Sequence, residues 1–259
     1  MFKQGLYPIV KKTASAKGIF DITVLCPEIA ELAEPGQFAQ LLAEGFFLRR
    51  PISICGIDKA AGTIRMVFEV RGSGTEKLAE LNVGENIDII APLGHGFTKI
   101  DGKAVCVGGG IGTPPILGIA SLYGRDATVV SGFRNAAAVI LQEDFKAAGC
   151  ETVLCTDDGS AGIHGFVTTA LEQHLLSNKT DIIYACGPTP MLKAIAAMAK
   201  KFGVRCEVSL EQRMACGVGA CLGCACRTLQ SDTKAPVEVY KHVCKDGPVF
   251  DAREVIFDG

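Results

Sequence analysis

From residue 104 to residue 209 the chain repeats one rhythm, a short apolar run followed by a helix-length stretch. Nothing else in the sequence limits the fold as strongly. The apolar runs fall at 104–107, 127–131, 151–155, 181–185 and 204–209, and helical spacing occupies 115–122, 136–148, 165–176 and 191–202. Five strands joined by four crossovers predict a parallel, doubly wound α/β sheet. A ligand crevice is expected at the carboxyl ends of its strands.

Ahead of this segment the pattern is different. Runs at 20–25, 37–42, 50–55, 63–70 and 87–90 are separated by Pro, Gly, Asp and Asn at hairpin-like intervals. They predict a small antiparallel barrel or sandwich, with room for a loop or short helix between strands and helical spacing at 75–81. Beyond residue 209 the periodicity fails and glycine and cysteine take over. The expected units are therefore 1–99, 100–208 and 209–259. The last is too small to rest on an apolar core alone.

That last unit carries Cys216, Cys221 and Cys224 in MACGVGACLGC, and then Cys244 in HVCKDG. C-x4-C-x2-C with a distant fourth thiol is the spacing of plant-type [2Fe–2S] ligation. Gly217, Gly219 and Gly223 let the loop wrap closely. Cys226 stands only two positions beyond Cys224, too near in an extended loop to aim its sulfur comfortably at the same iron, and is the alternative to Cys244 as fourth ligand. The 19 residues between Cys224 and Cys244 include SDTKAPVEV, read as a surface hairpin. Cys26, Cys55, Cys106, Cys150, Cys155 and Cys206 sit in apolar runs and read as small buried hydrophobes.

A net charge of −2 gives no electrostatic case for nucleic acid or an anionic membrane as partner. No uninterrupted apolar run approaches bilayer length. The first residues lack the pattern of a secretory signal. With no export signal, twelve cysteines suggest reduced thiols and a cytoplasmic protein.

Two glycine-bearing turns follow strands of the α/β segment. GGGIGTPP, with Gly108, Gly109, Gly110 and Gly112, ends the first strand and opens a helix, an arrangement that suits a pyrophosphate. CGPTPM, with Cys186, Gly187 and Pro188, ends the fourth and places a loop where a nicotinamide can lie. Asp157 and Asp158 end the third strand, where they face either a ribose hydroxyl or an Asp-Gly turn. A 2′-phosphate wants clustered cations, but only Arg134 is at hand beside those carboxylates, which favours NAD over NADP. In the first segment, Arg50, Pro51, Ile52 and Ser53, followed by Arg71 and the Gly74-Thr75 turn, offer two phosphate-friendly elements. Two suit a pyrophosphate, hence FAD, better than a monophosphate.

The order RxxS, GxGT, GGGIG-x-x-P, CGPxPM resembles the ferredoxin-reductase superfamily. With the tail SLEQRMACGVGACLGCAC and VCKDGPVFDA, the whole chain resembles the electron-transfer subunits of class 1B dihydroorotate dehydrogenases. The resemblance implies an FAD-binding barrel, an NAD-binding α/β domain and a [2Fe–2S] module. It implies that Arg50, Pro51, Ile52 and Ser53 hold the flavin and its phosphate. Val67, Phe68 and Glu69 would contact FAD from the next strand, and Gly74 and Thr75 would meet the pyrophosphate. Cys216, Cys221, Cys224 and Cys244 would carry the cluster. It also implies an FMN-containing catalytic partner, in a heterotetramer of two plus two, with electrons passing from dihydroorotate through FMN, cluster and FAD to NAD+. No residue here reads as a base for dihydroorotate oxidation, so no catalytic side chain is assigned. The apolar residues Met214, Val218 and Leu222 are expected to be exposed around the cluster and to meet that partner. The rival readings are a sulfide dehydrogenase or ferredoxin:NADP+ reductase subunit, in which an aspartate tends to replace one cluster cysteine, and a redox sensor without turnover.

Overall fold

In the computed structural model, residues 2–230 and 236–257 are described. Six antiparallel strands close a barrel: β1 (Lys3–Ala16), β2 (Ile19–Leu25), β3 (Phe38–Leu42), β4 (Arg50–Asp58), β5 (Thr63–Glu69) and β6 (Asn86–Leu93), in the order β1-β2-β5-β4-β3-β6. Closure leaves no free sheet edge. Alternate residues fill the interior, among them Ile9, Ile22, Leu41, Ile54, Ile64, Met66, Phe68 and Ile87. Helix α1 (Pro27–Leu32) and helix α2 (Ser73–Glu80) add Ile29 and Leu78 to the same core.

β1 does not figure in the sequence reading. Its first half pairs with β6 and its second half with β2, so this one long strand closes the barrel. Within it only Tyr7 and Ile9 are buried. Gly5, Pro8 and paired lysines mask the strand signal.

The second unit is the expected parallel sheet with its helices. β7 (Ala104–Gly109), α3 (Pro114–Tyr123), β8 (Ala127–Phe133), α4 (Gln142–Ala147), β9 (Glu151–Thr156), the short β10 (Ile163–His164), α5 (Val167–Ser177), β11 (Ile182–Cys186), α6 (Thr189–Phe202) and β12 (Arg205–Ser209) follow in turn. The sheet runs β10-β9-β8-β7-β11-β12, so strand order reverses beside β7. One face packs against α3, α4 and the barrel residues Ile19, Cys55 and Val67; the other packs against α5 and α6. The single helix expected over 136–148 is a correction. A 3-10 turn at Ala136–Ala138 is followed by Leu141 at φ 64, and only Gln142–Ala147 is α-helical. A leucine in that left-handed region interrupts the helix.

Arg65 of β5 ties the two units together. Its guanidinium donates to both oxygens of Asp21 on β2 (2.6–3.1 Å) and reaches Asp144 on α4.

The cysteine-rich tail lies on both. β13 (Ala225–Gln230) and β14 (Val237–His242) form an antiparallel pair, with Gln230 opposite Val237. This pairing accords with the expected hairpin, of which residues 231–235 lie outside the described residues. β15 (Val249–Asp251) joins the large sheet antiparallel to β12, which the sequence rhythm did not predict. A small core of Phe38, Leu93, Cys224, Cys226, Val243, Cys244 and Phe250 seats the tail on the barrel.

Candidate functional site

Two clefts meet between the units. The larger, about 940 Å³, opens over the carboxyl ends of the parallel strands. Gly109, Gly110 and Gly112 line it from the turn after β7, Gly187 and Pro188 from the turn after β11, and Arg134, Asn135 and Asp157 from the far side. Gly112 carries the close approach of the two turns. A Cβ there would stand 2.6 Å from the Cys186 carbonyl oxygen and 2.7 Å from the Gly187 Cα. Gly108 does not line the cleft, a difference from the expectation. It makes room for α3, since a Cβ would meet the Thr113 Cα at 2.8 Å. The two aspartates divide. Asp157 lines the cleft, whereas Asp158 accepts from the Ser160 hydroxyl and backbone N–H, which hold its carboxyl below the ordinary range.

The smaller cleft, about 250 Å³, runs along the barrel wall. Arg50, Pro51, Ile52 and Ser53 line it from β4, Val67, Phe68 and Glu69 from β5, and Thr75 from α2. The Phe68 ring itself is buried in the barrel core against Phe20. Gly74 lies beneath the Arg50 guanidinium; a Cβ would come within 2.2 Å of Nε. Glycine is thus what lets the cation lie across the start of α2. Thr75 turns its hydroxyl inward, accepting from the Arg71 and Gly72 N–H groups at 2.9 and 3.2 Å. A positive group across a helix start fits an anionic diphosphate.

Glu69, Arg71, Ile111 and Glu211 line both clefts, so a group in one borders a group in the other. Cys186 borders the smaller cleft; burial, with the Glu211 carboxylate nearby, pushes its thiol up to about 12 and keeps it neutral. Ser209, Leu210, Glu211, Gln212, Met214 and Pro248 also line the smaller cleft, and the sequence reading did not mark them as binding residues. For Ser209, Leu210, Glu211 and Gln212 the one available signal was position, at or just past the carboxyl end of β12. Met214 is a correction: it is half-buried, packed toward Cys224 and Cys244, not exposed. Val218 and Leu222 are exposed, and Leu222 holds φ 58.

The four cysteines come as two pairs. Burial alone would raise the Cys216 thiol. Backbone N–H groups of Val218, Cys221 and Ala220 at 3.3–3.4 Å, with the Cys221 thiol, bring it down to about 6. Cys244 and Cys224 form the second pair. Gly219 N–H donates to the Cys244 sulfur at 3.2 Å, and Cys244 N–H to the Cys224 sulfur at 3.4 Å. Burial, with Cys224 beside it, pushes the Cys244 thiol up to about 12. Among the described residues no three His, Cys, Asp or Glu side chains converge as they would on a single ion. Two thiol pairs ringed by N–H donors suit a binuclear cluster, each iron taking two thiolates. Cys226 is buried in β13, its thiol raised to about 11 by burial and then by Cys224. Cys26, Cys55, Cys106, Cys150, Cys155 and Cys206 are all buried, and no cysteine forms a disulfide.

Comparison with known proteins agrees with this arrangement. Residues 211–256 match the iron–sulfur cluster binding domain of dihydroorotate dehydrogenase B, and residues 106–197 match the oxidoreductase NAD-binding domain. The solved NADH-dependent reduced ferredoxin-NADP oxidoreductase is 32% identical, with a TM-score of 0.86 over 98% of this chain and 90% of that one. A ferredoxin reductase of carbazole 1,9a-dioxygenase shares the fold, at 22% identity and a TM-score of 0.66 over 78% of this chain and 67% of that one. Barrel, nucleotide sheet and cysteine module together define an NAD-linked iron–sulfur oxidoreductase subunit of ferredoxin-reductase type. The electron transfer subunit of dihydroorotate dehydrogenase B (NAD(+)) from Geobacillus thermodenitrificans (strain NG80-2) is 43% identical over 96% of each chain. That from Shouchella clausii (strain KSM-K16) is 38% identical over 98% of each. The chain belongs to this family of electron transfer subunits.

Proposed function

We propose that the chain carries electrons from a dihydroorotate-oxidising, FMN-containing partner to NAD+, through a [2Fe–2S] cluster and FAD of its own, in an assembly of two plus two chains. One observation carries the reading. The cleft suited to the flavin is walled by the barrel, the nucleotide sheet and the first residues of the cysteine module, and it shares four lining residues with the nucleotide cleft. Bound there, cluster, flavin and nicotinamide supply one-electron, convertible and hydride chemistry in that order. Dihydroorotate loses two electrons and two protons on the partner, and NAD+ takes up a hydride, leaving one proton in solution.

The residues divide that work. Cys216 with Cys221, and Cys224 with Cys244, hold the cluster. Backbone N–H groups already donate to the Cys216, Cys224 and Cys244 sulfurs. Arg50, with Gly74 and Thr75, holds the flavin pyrophosphate, while Pro51, Ile52, Ser53, Val67, Phe68 and Glu69 form the wall along its ring system. Gly109, Gly110 and Gly112 accommodate the nucleotide pyrophosphate, and Gly108 lets α3 start close enough to serve it. Cys186, neutral and buried, with Gly187 and Pro188, borders the meeting point of flavin and nicotinamide. Asp157 faces the ribose and disfavours a 2′-phosphate, so NAD is the nucleotide. The exposed Val218 and Leu222 face the partner across the cluster loop. Twelve cysteines, none in a disulfide among the described residues, support a cytoplasmic setting. No helix among the described residues is long and apolar enough to cross a membrane.

The purified chain should contain FAD, iron and sulfide, reduce a dye with NADH but poorly with NADPH, and reduce NAD+ from dihydroorotate only when the partner is added. Heat-released FMN in place of FAD, or equal efficiency with NADPH, would overturn the cofactor assignments. Absence of dihydroorotate-driven NAD+ reduction in the reconstituted pair would overturn the function.

A further inference from the structure

The barrel strand beneath the cysteine loop carries a side chain that the reading above leaves unused. Gln40 sits in the middle of β3, paired with Pro51 of β4 and Ile90 of β6. Its neighbours Ala39 and Leu41 point into the barrel core. Gln40 therefore shares the opposite face with Phe38, which packs with Cys224 and Cys244. It is 0% exposed, and neither its Nε2 nor its Oε1 has a partner among the described residues. The loop passes directly over it: a Cβ on Gly217 would lie 2.6 Å from the Gln40 Nε2 and 2.6 Å from its Cγ. Gly217 follows Cys216 and holds φ +71, so glycine is required there for both conformation and space.

A buried amide without a partner is costly in a low-dielectric interior, and such groups are almost always bonded in a complete protein. What the loop over Gln40 is built to hold is rich in sulfur acceptors. We propose that Gln40 donates from its side-chain NH2 to a sulfur on the Cys216 side of the [2Fe–2S] cluster and thereby sets the cluster's reduction potential from the barrel. This inference rests on the cluster reading above. A thiolate or bridging sulfide accepts and does not donate, so the amide must turn its nitrogen end toward the loop. Reduction adds negative charge to the cluster, and a donor to its sulfur then stabilises the reduced form more than the oxidised one. Gln40 thus makes the cluster easier to reduce. It does so from the strand hydrogen-bonded to the Arg50–Asp58 strand, which walls the flavin cleft.

The test is an EPR-monitored redox titration of the cofactor-loaded chain, with the flavin potential followed optically and iron and sulfide counted. Gln40→Met keeps the length and removes the donor. It should retain full iron and an unchanged flavin potential. Its cluster should be about tenfold harder to reduce, roughly 59 mV lower for a one-electron couple. Gln40→Leu also removes the donor, in a shorter apolar side chain, so its cluster potential should fall as far. A fully loaded Gln40→Met cluster with unchanged potential overturns the proposal. If that variant loads no iron, Gln40→Leu decides on the same criterion. Loss of iron from both also overturns the proposal and makes Gln40 part of loop assembly. A wild-type chain without a cluster signal would instead sink the cluster reading itself.

Discussion

Gly112→Ala is the sharpest probe of the nucleotide crevice. The added Cβ would stand 2.6 Å from the Cys186 oxygen, 2.7 Å from the Cys186 carbonyl carbon and 2.7 Å from the Gly187 Cα. All three are backbone atoms, so no side-chain rotation relieves the contact. Either the start of α3 or the turn after β11 must move. Overpacking of this kind costs roughly 1–3 kcal/mol. For a chain of this size each kcal/mol lowers Tm by about 2–4 °C. The displaced elements are the two that face each other across the crevice. If about 1.4 kcal/mol of the cost falls on nucleotide binding, the KM for NADH in dye reduction rises about tenfold. Flavin content should stay stoichiometric, because Arg50, Ser53 and Gly74 belong to the barrel side. Differential scanning fluorimetry, NADH titration of dye reduction and flavin counting give the three numbers. A Gly112→Ala protein with wild-type Tm and wild-type KM would refute the argument that this glycine exists for the approach of the two turns.

Cys244→Ser should abolish or distort the visible iron–sulfur spectrum, while Cys226→Ser should leave it; the reverse result would exchange their roles. Gly74→Ala, by pushing the Arg50 guanidinium off the start of α2, should lower the flavin-to-protein ratio after gel filtration, with iron content retained. Arg65→Met leaves Asp21, 8% exposed, without its bidentate partner, and should cost roughly 1–3 kcal/mol in chemical denaturation. An unchanged midpoint would show that this clamp between barrel and sheet contributes nothing. Leu222→Glu should impair dihydroorotate-driven NAD+ reduction through the partner and spare NADH-driven dye reduction; survival of both would place the electron entry elsewhere.

Local chemistry was readable in this chain because its signals are short-range. The strand-and-helix rhythm from Ala104 to Ser209, the glycine turns after β7 and β11, and the cysteine spacing each depend on neighbours a few residues away. They predicted the sheet, the order of the clefts and the thiols that form two pairs. Where a signal depended on partners far along the chain, the sequence was silent. β1, with only Tyr7 and Ile9 buried, is a strand because β2 and β6 pair with its two halves, not because of its own residues. The stretch 136–148 has helical composition, but Leu141 adopts a left-handed conformation that interrupts it. β15 is three residues long and finds its place only against β12.

The same division runs through the site. Sequence alone determined which atoms can bind sulfur-ligated iron and phosphate, since thiols, glycine amides and arginine carry those capacities wherever they stand. Tertiary structure alone decided that Glu69, Arg71, Ile111 and Glu211 belong to two clefts at once, and that Met214 turns inward to the cleft. It alone placed Gln40, an ordinary strand residue in sequence, beneath Gly217 and without a partner among the described residues. Each of these is a distance between residues remote in the chain, and only packing of the barrel, sheet and tail against one another sets such distances.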